Sequence, residues 1–481
     1  MKFTRSTLAR ASLLALAALA AATATSLAPV PTALASVGNG PADGEDFART
    51  VLATGLADPF EILVAPDGAL WVTERTAGRV TRIDPATRSR STLVSIPGVV
   101  SSGGQDGLLG MALEQGGKGG ARVNAYLSYT YDGDPGTALD RRQRIVRYSY
   151  DDRGRRLHSP QVLIEGLLAS DDHNSGRLLL GPDGKLYYTI RDRGNNQGRN
   201  TCRPIEAQRF LTTAEVSARD WTAYQGKTLR LNTNGSIPKD NPRLDGVRSH
   251  VWTFGHRNAQ GLAFDGSGRL YSSEHGPKSD DELNLLRAGG NYGWPRIVGH
   301  QDDSAYVYGD WSARASGCTP ATYDAYDIPD DVPQQAETAF NDPRLVSPVR
   351  TFYTVSSDHD FRPAASPCAA SAMWYICYPT IAPSSLDHYA SAGIPGWSDS
   401  LLMPTLKRGT LFRMPVVSGT SVGDPLPLFR SQNRYRDTAI APGGRTIYVA
   451  TDSNGLAEGL DGRPTTALAD PGAILAFTFT G

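Results

Sequence analysis

One short phrase returns along this chain and limits what the chain can fold into. It reads VAPDGALWVTE at 64–74, LGPDGKLYYTIRD at 180–192, FDGSGRLYSSE at 264–274 and APGGRTIYVATD at 441–452. Each copy has a turn rich in Pro, Asp or Gly, then a strand with an aromatic residue, then an acidic residue. Gly and Asp supply the positive backbone angles of tight hairpins, and aromatic and β-branched side chains suit a half-buried strand. A looser copy covers 107–131. Helical periodicity is scarce. The stretches 213–221 and 280–288 predict short helices, the second with Ser279 or Asp280 as N-cap and Gly289 at its end. Many short strands in self-similar units predict an all-β fold, a six-bladed β-propeller with four-stranded blades and long inserted loops. The uneven spacing of the copies puts the main insertions at 198–225 and 305–350.

The acidic ends carry their own pattern. Side chains alternate across a strand, so Glu74, Asp192 and Glu274, each an odd number of steps from its aromatic, fall on the face opposite it. Tyr448 to Asp452 is an even step and breaks the pattern unless a bulge intervenes. Singly these acids read as solvated strand ends. Together they predict a ring of carboxylates around one mouth of the array.

The first ten residues carry Lys2, Arg5 and Arg10, and an apolar run, ASLLALAALAAATA, follows. With small residues before a cleavage point after Ala35, this is the pattern of a secretory signal peptide. The expected organisation is a signal peptide over 1–35 and a single propeller domain over 36–481. The uninterrupted apolar run is shorter than a bilayer span needs, so no membrane span is expected and the mature chain is read as exported, periplasmic or extracellular. Export permits disulfides, and the four cysteines allow three pairings. Cys368 and Cys377 lie close enough to pin one local loop, which leaves Cys202 with Cys318. A net charge of -1 argues against a general nucleic-acid binder.

Polar chemistry concentrates at the open ends of the hairpin in DDHNSGRLLLGPDGKLYYTIRDRGNNQ (171–197). His173 stands among Asp171, Asp172 and Asn174, a setting that suits a general base. Arg434 and Arg436, two apart, share a face of an extended segment. With Lys407, Arg408 and Arg257 they form a candidate anion clamp, since arginine forks match carboxylates and phosphates. The acid-rich SEHGPKSDDELN and the following QDD offer oxygens suited to Ca²⁺, without the spacing of an EF-hand. The glycine-rich GGQDGLLG lacks the surroundings of a phosphate loop. DNPRLDG and RGNNQGRN are candidate sugar-contacting loops that turns explain equally well.

At these residues the chain resembles the soluble pyrroloquinoline quinone (PQQ)-dependent glucose dehydrogenases, within the glucose/sorbosone dehydrogenase family. The matching phrases include GQDGLLG, GKTLRLNTNGSIPKDNP, GHRNAQGLAF, SEHGPKSDDELNLLRAGGNYGWP, YICYPTIAPSS, LLMPTLKRGTLFRM and NRYRD, in the family's order, while 305–370 matches poorly. The resemblance implies a six-bladed propeller that oxidises the C1 hydroxyl of an aldose, with D-glucose first, to the lactone. PQQ and Ca²⁺ are the implied cofactors and an external electron acceptor the implied partner. A homodimer is common in the family, but no interface residues are read in this sequence.

By motif, His173 is expected as the base, Asp172 as the group that orients it, and Arg257 beside the quinone oxygens. Gln105, Asp172, Asp192, Gln197, Tyr375 and Tyr378 are expected at the sugar. Asn258, Thr380, Lys407, Arg434, Arg436 and His275 are expected at PQQ, with Asp452 supporting the basic groups. Backbone carbonyls of Gly276 and Pro277 are expected at a Ca²⁺ that polarises PQQ. Glu282, Asp302 and the backbone at Tyr292 and Val298 resemble a second, structural Ca²⁺ site. His275 stands where well-known members have Gln, Tyr378 where they have Trp. Arg191 and Arg193 replace small or neutral residues of the family phrase IGDQG. Two rival readings are a Ca²⁺-dependent sugar lactonase, which does not need the basic clamp, and a non-catalytic carbohydrate-binding propeller, which does not need His173.

Overall fold

The structure, a computed structural model, describes residues 46–116, 122–418 and 420–481. The apolar N-terminal run and its cleavage point at Ala35 lie outside the described residues. The described residues build six antiparallel blade sheets, each formed by four successive strands or nearly so, and three small two-stranded sheets in the connecting segments.

Blade one runs from Pro59–Val64 to Arg90–Ser95, and blade two from Leu108–Gly116 to Arg156–Leu168. Blade three holds Ser175–Leu180, Lys185–Ile190, Lys227–Asn232 and Val251–Phe254. Blade four holds Ala259–Phe264, Leu270–Glu274, Asp281–Leu286 and Arg350–Phe352. Blade five is built on Asp387–Tyr389, Ser400–Pro404, Leu411–Ser418 and Leu426–Leu428. Blade six takes Tyr435–Ile440, Thr446–Thr451 and Ile474–Phe479, and its outer strand is the first of the described chain, Phe47–Ala53. The first strand of each blade touches the first strand of the next, and that of blade six touches that of blade one, so the sheets close a ring. The expected six-bladed propeller is the observed one.

The ring closes by pairing Phe47 with Phe479 and Val51 with Leu475. Six apolar clusters fill the six seams between neighbouring blades. Because each sheet is covered on both faces, central strands are buried along their whole length rather than on alternate residues, as in Leu70–Glu74. In the closing seam Phe47 sits against Phe429 and Trp397, ring centroids 5.0 and 5.4 Å away.

The two helix expectations divide. Thr213–Ala218 is a helix, capped by a reciprocal pair of hydrogen bonds between Thr212 and Glu215. The stretch 280–288 is not: Asp281–Leu286 is a fully buried strand paired with Leu270–Glu274. Its six residues are too few for a stable helix alone, and the seams on both sides favour the extended form. The insertion around 305–350 is mostly turns, and the disulfide Cys202–Cys318 fastens it to the segment after blade three's second strand. The second bridge is Cys368–Cys377, so both expected pairings form.

The four acidic strand ends stand at the same end of the second strand of blades one, three, four and six, yet they do not form an open ring. All four are buried and engaged within the scaffold. Glu74 holds Arg79 and the Ala57 N–H, while Glu274 accepts from His256 and from the Asn258 N–H. Asp452 lies just past its strand, Thr446–Thr451, where strict alternation no longer applies.

Candidate active site

The site starts at the hairpin of blade three. Leu180 pairs with Leu186 near the turn, but the register slips by one before Ser175 meets Ile190. That slip brings the second residue beyond each strand end face to face, and His173 Nδ1 lies 2.9 Å from Asp192 Oδ1. His173 and Ser175 adopt positive φ values of 48° and 53°. Such strain in side-chain-bearing residues persists only where surrounding contacts fix it. The imidazole is buried and the Asp192 carboxylate fully so. Asp192 Oδ1 also accepts from the Gly194 N–H at 2.8 Å, and its Oδ2 is buried without a protein partner. Burial works to raise the Asp192 carboxyl, but His173 first, then Arg257 and the Gly194 N–H, outweigh it and hold the group below the usual range.

Asp172 therefore has a different place from the one expected. It does not orient the imidazole; Asp192 does. Asp172 Oδ1 accepts from the His173 backbone N–H at 2.9 Å and from Gln105 Nε2 at 2.8 Å. One carboxylate thus fixes the ring and the other fixes the loop. Gln105 comes from GGQDGLLG, whose Gly104 packs so closely on Asp171 that a Cβ there would fall 2.2 Å from the Asp171 carbonyl oxygen.

Ser175 and Arg191 of the same hairpin, though neither His173 nor Asp192, line a cavity of about 390 Å³ whose wall draws on all six blades or the loops that lead into them, which places it on the axis of the ring. Five cationic side chains line it, Arg75, Arg191, Lys407, Arg434 and Arg436, against one carboxylate, Asp452. Asp452 accepts from Arg434 Nε at 2.9 Å and from Arg436 Nε and Nη2 at 2.7 and 2.8 Å. Burial alone would raise its pKa, but Arg436 and Arg434 bring it to about 2, so it stays ionised and holds both forks in place. Lys407 donates to Thr380 Oγ1 at 2.8 Å and to the Tyr378 carbonyl. Burial lowers the Lys407 pKa, with Asp281 working against it.

The expected clamp of Lys407, Arg434 and Arg436 is thus assembled, with Thr380 and His275 on its wall. Arg408 is not part of it and pairs instead with Glu458 at 2.8 Å. Arg257 stands in the adjoining small cavity with His275, where its Nη1 donates to the Gly276 carbonyl at 3.1 Å and its Nε is buried without a partner. Asn258 does not line the clamp cavity; its side-chain oxygen accepts from Gln260 Nε2 at 2.7 Å, and Gln260 does line it. His275 is held through Nε2 to the Pro383 carbonyl at 2.7 Å. Burial first, then Arg191 and Arg257, push its pKa well down, so it is a neutral imidazole.

Four of the six residues expected at the sugar fall on two cavities, and Asp172 and Asp192 line neither. Gln105 and Tyr375 line the clamp cavity. Gln197 and Tyr378 line a second cavity of about 630 Å³, whose wall is rich in aromatic residues of the insertion, among them Trp311, Tyr323 and Tyr326. Pro277 lines this cavity as well as the small one. Asn195 and Asn196 of the candidate sugar loop are held by the scaffold, with Asn196 Nδ2 donating to the Gly309 carbonyl at 2.8 Å.

Three of the four residues expected at a second metal site, Glu282, Tyr292 and Val298, gather around the small cavity with Gly276 and Pro277. The fourth, Asp302, is exposed, and its carboxylate caps the Ser304 N–H at 2.8 Å. Glu282 shares no partner with it, accepting instead from the Gly299 N–H at 2.7 Å and Asn284 Nδ2 at 2.8 Å. Among the described residues no group of three or more His, Cys, Asp or Glu is arranged to hold a metal ion.

Arg75 and Arg191 are the cavity cations that motif reading did not assign to the clamp. Each follows a buried strand singly, and nothing in its local sequence marks it. The one signal available for Arg191 was its departure from the family phrase.

A buried imidazole oriented by a carboxylate and a cation-lined cavity on the axis of a six-bladed propeller give this protein the layout of an enzyme active site. The comparisons narrow it. The family model described as glucose/sorbosone dehydrogenase matches residues 56–326 and 354–458. The chain belongs to that family, which is one of oxidoreductases. It is 41% identical over 446 residues to quinoprotein glucose dehydrogenase B of Acinetobacter calcoaceticus, covering 91% of this chain and 92% of that one. It is 32% identical over 251 residues to aldose sugar dehydrogenase YliI of Escherichia coli, covering 51% of this chain and 61% of that one. Among solved structures, the PQQ-bound form of aldose sugar dehydrogenase from Streptomyces coelicolor aligns with a TM-score of 0.57 and 26% identity, over 91% of this chain and 99% of that one.

Proposed function

We propose that this protein oxidises the C1 hydroxyl of an aldose, D-glucose first among them, to the lactone, with PQQ as bound electron acceptor and Ca²⁺ beside it. The observation that carries the reading is a cavity with five basic side chains and one acid, whose wall includes Ser175 and Arg191, the neighbours in the hairpin of the His173–Asp192 pair. PQQ carries three carboxylates, and guanidinium forks suit such groups in charge and geometry. Arg434, Arg436, Lys407 and Thr380 are the residues that would hold it, and the neutral His275 would lie against it. When bound, PQQ supplies the two-electron acceptor that no side chain of this protein can provide. The Gly276 and Pro277 carbonyls would be the oxygen donors to Ca²⁺, the first of them also within reach of Arg257 Nη1 at 3.1 Å.

The protein's own groups manage the proton and the charge. His173 Nδ1 is tied to Asp192, which leaves Nε2 to take the C1 hydroxyl proton. The ionised Asp192 stabilises the imidazolium that results. Arg257, with an unpartnered Nε, is a donor for negative charge that develops in the reaction. Gln105, Asp172, Gln197, Tyr375 and Tyr378 supply polar and aromatic contacts for a sugar ring. Electrons then pass to an external acceptor, since the sequence carries no CxxCH haem motif. The reading includes export with removal of residues 1–35, and two disulfides suit an oxidising compartment. Among the described residues no helix is long and apolar enough to cross a membrane.

The test is a titration of metal-stripped protein with PQQ and Ca²⁺, following glucose-dependent reduction of an artificial dye. Activity that needs both additions and vanishes in His173→Ala supports the reading. Tight PQQ binding without turnover of any aldose moves the substrate elsewhere. No PQQ binding overturns it.

A further inference from the structure

We propose that Arg191 is an anion-binding residue of the axial cavity, contacting an acidic group of the bound cofactor alongside Lys407, Arg434 and Arg436. The inference rests on reading that cavity as the PQQ site. Arg191 immediately follows the strand Lys185–Ile190 and is 2% exposed, yet it lines the cavity. Its guanidinium donates from Nε to Ser175 Oγ at 2.8 Å and from Nη1 to Gln105 Oε1. Both acceptors are neutral.

The other cavity arginines each have a carboxylate. Arg75 pairs with Asp58 at 3.2 Å, and Arg434 and Arg436 pair with Asp452. Arg191 has no such ion pair among the described residues. The two acids that act on it electrostatically, Asp172 and Asp192, are engaged by Gln105 and His173. A buried cation loses its hydration, and that cost is offset only by an anion or by strong acceptors.

A purely positioning role for Arg191 does not account for the charge. Gln105 is already fixed through its Nε2 to Asp172, and a neutral donor would satisfy Ser175 and Gln105 equally well. The positive charge is what remains to be explained, and its place is the wall of a cavity already built for an anion. Burial pushes the guanidinium pKa well down, with Asp172 and Asp192 opposing, and a bound carboxylate would reverse that strain on the charge.

The experiment is an equilibrium titration of apo protein with PQQ, read by quenching of tryptophan fluorescence at several salt concentrations. Thermal unfolding of each ligand-free variant establishes that it is folded. Arg191→Gln is expected to weaken PQQ binding roughly tenfold or more and to lessen its salt dependence, with Arg191→Lys recovering much of both. Arg191→Gly, which restores a small residue of the family phrase, serves as a second variant should Arg191→Gln not fold. PQQ binding by the neutral variants with unchanged affinity and salt dependence overturns the inference and leaves the cofactor reading intact. If the unaltered protein binds no PQQ, the cofactor reading fails, and citrate decides the inference alone. Citrate that raises the melting temperature of the unaltered protein but not of Arg191→Gln supports an anion site at Arg191. Citrate that affects both alike, or neither, overturns it.

Discussion

His173 and Asp192 meet because the hairpin that carries them slips by one residue between Leu178 and Ser175. Without the slip, the residue opposite His173 would be Arg193, and the imidazole would face a cation. The carboxylate that orients the ring is therefore a product of a local irregularity in the sheet. Asp192→Asn keeps the shape and removes the charge that stabilises a protonated ring. It is expected to lower kcat by about a hundredfold or more with little change in KM. Asp172→Asn, which touches the backbone and Gln105 rather than the ring, is expected to act mainly on KM. Steady-state dye reduction with both variants separates the two roles, and equal effects on kcat would contradict the assignment.

Asp452 holds two guanidinium groups with three hydrogen bonds. Asp452→Ala leaves two half-buried arginines without their counterion. The expected cost is about 1–3 kcal/mol of stability, below that of a fully buried pair broken from one side, because both guanidinium groups keep access to water. Denaturant unfolding of the ligand-free variant measures it. Added PQQ is expected to recover part of the loss, because ligand carboxylates would replace the missing one.

The two disulfides are expected to contribute unequally. Cys202–Cys318 closes a loop with a sequence separation of 116, and Cys368–Cys377 one of 9. Chain entropy then assigns about 5 kcal/mol to the first and about 2.5 kcal/mol to the second. Serine pairs at each bridge, compared by guanidinium unfolding, test the order. The first pair is also expected to raise KM, since its bridge fastens the wall that carries Trp311 and Tyr323 to the segment bearing Gln197.

A cluster of charge lies beneath the clamp cavity. Arg177 pairs with Glu61 at 2.5 Å and with Asp437 at 3.3 Å, and Asp387 accepts from Thr438 nearby. Burial, then Asp437, push the Asp387 carboxyl up to about 7. The folded protein thus retains a proton that the unfolded chain releases at about pH 4. Stability from this group is full below about pH 4 and is lost as pH rises toward 7. Asp387→Asn, which resembles the protonated form, is expected to flatten the fall in melting temperature between pH 5 and 8. A slope identical to that of the unaltered protein would remove Asp387 as its cause.

Much of this architecture was legible in the sequence, and the exceptions share a cause. The repeated turn-and-strand phrase announced the blades because hairpin chemistry is local. Arg434 and Arg436 do meet on Asp452, but Arg434 precedes the strand Tyr435–Ile440 and the register shifts between Tyr435 and Asp437, so more than simple alternation brings them together. The strand Asp281–Leu286 was read as a helix because what favours it is burial between two seams, which no window of its own sequence contains. Asp192 was placed at the site but not against the ring, since a one-residue slip decides it and periodicity does not record slips. Arg75 and Arg191 became members of a cavity only where six separate segments converge.

The strand Phe47–Ala53 completes blade six against Ile474–Phe479, so the earliest and latest segments of the described chain are neighbours. The axial cavity draws its wall from Phe60 near one end to Leu456 near the other. A nascent chain still lacking its last blade has therefore neither a closed ring nor Arg434 and Arg436. Ligand capture therefore waits on Ile474–Phe479, whose loss leaves Phe47–Ala53 without its partner and the wall around the cavity open.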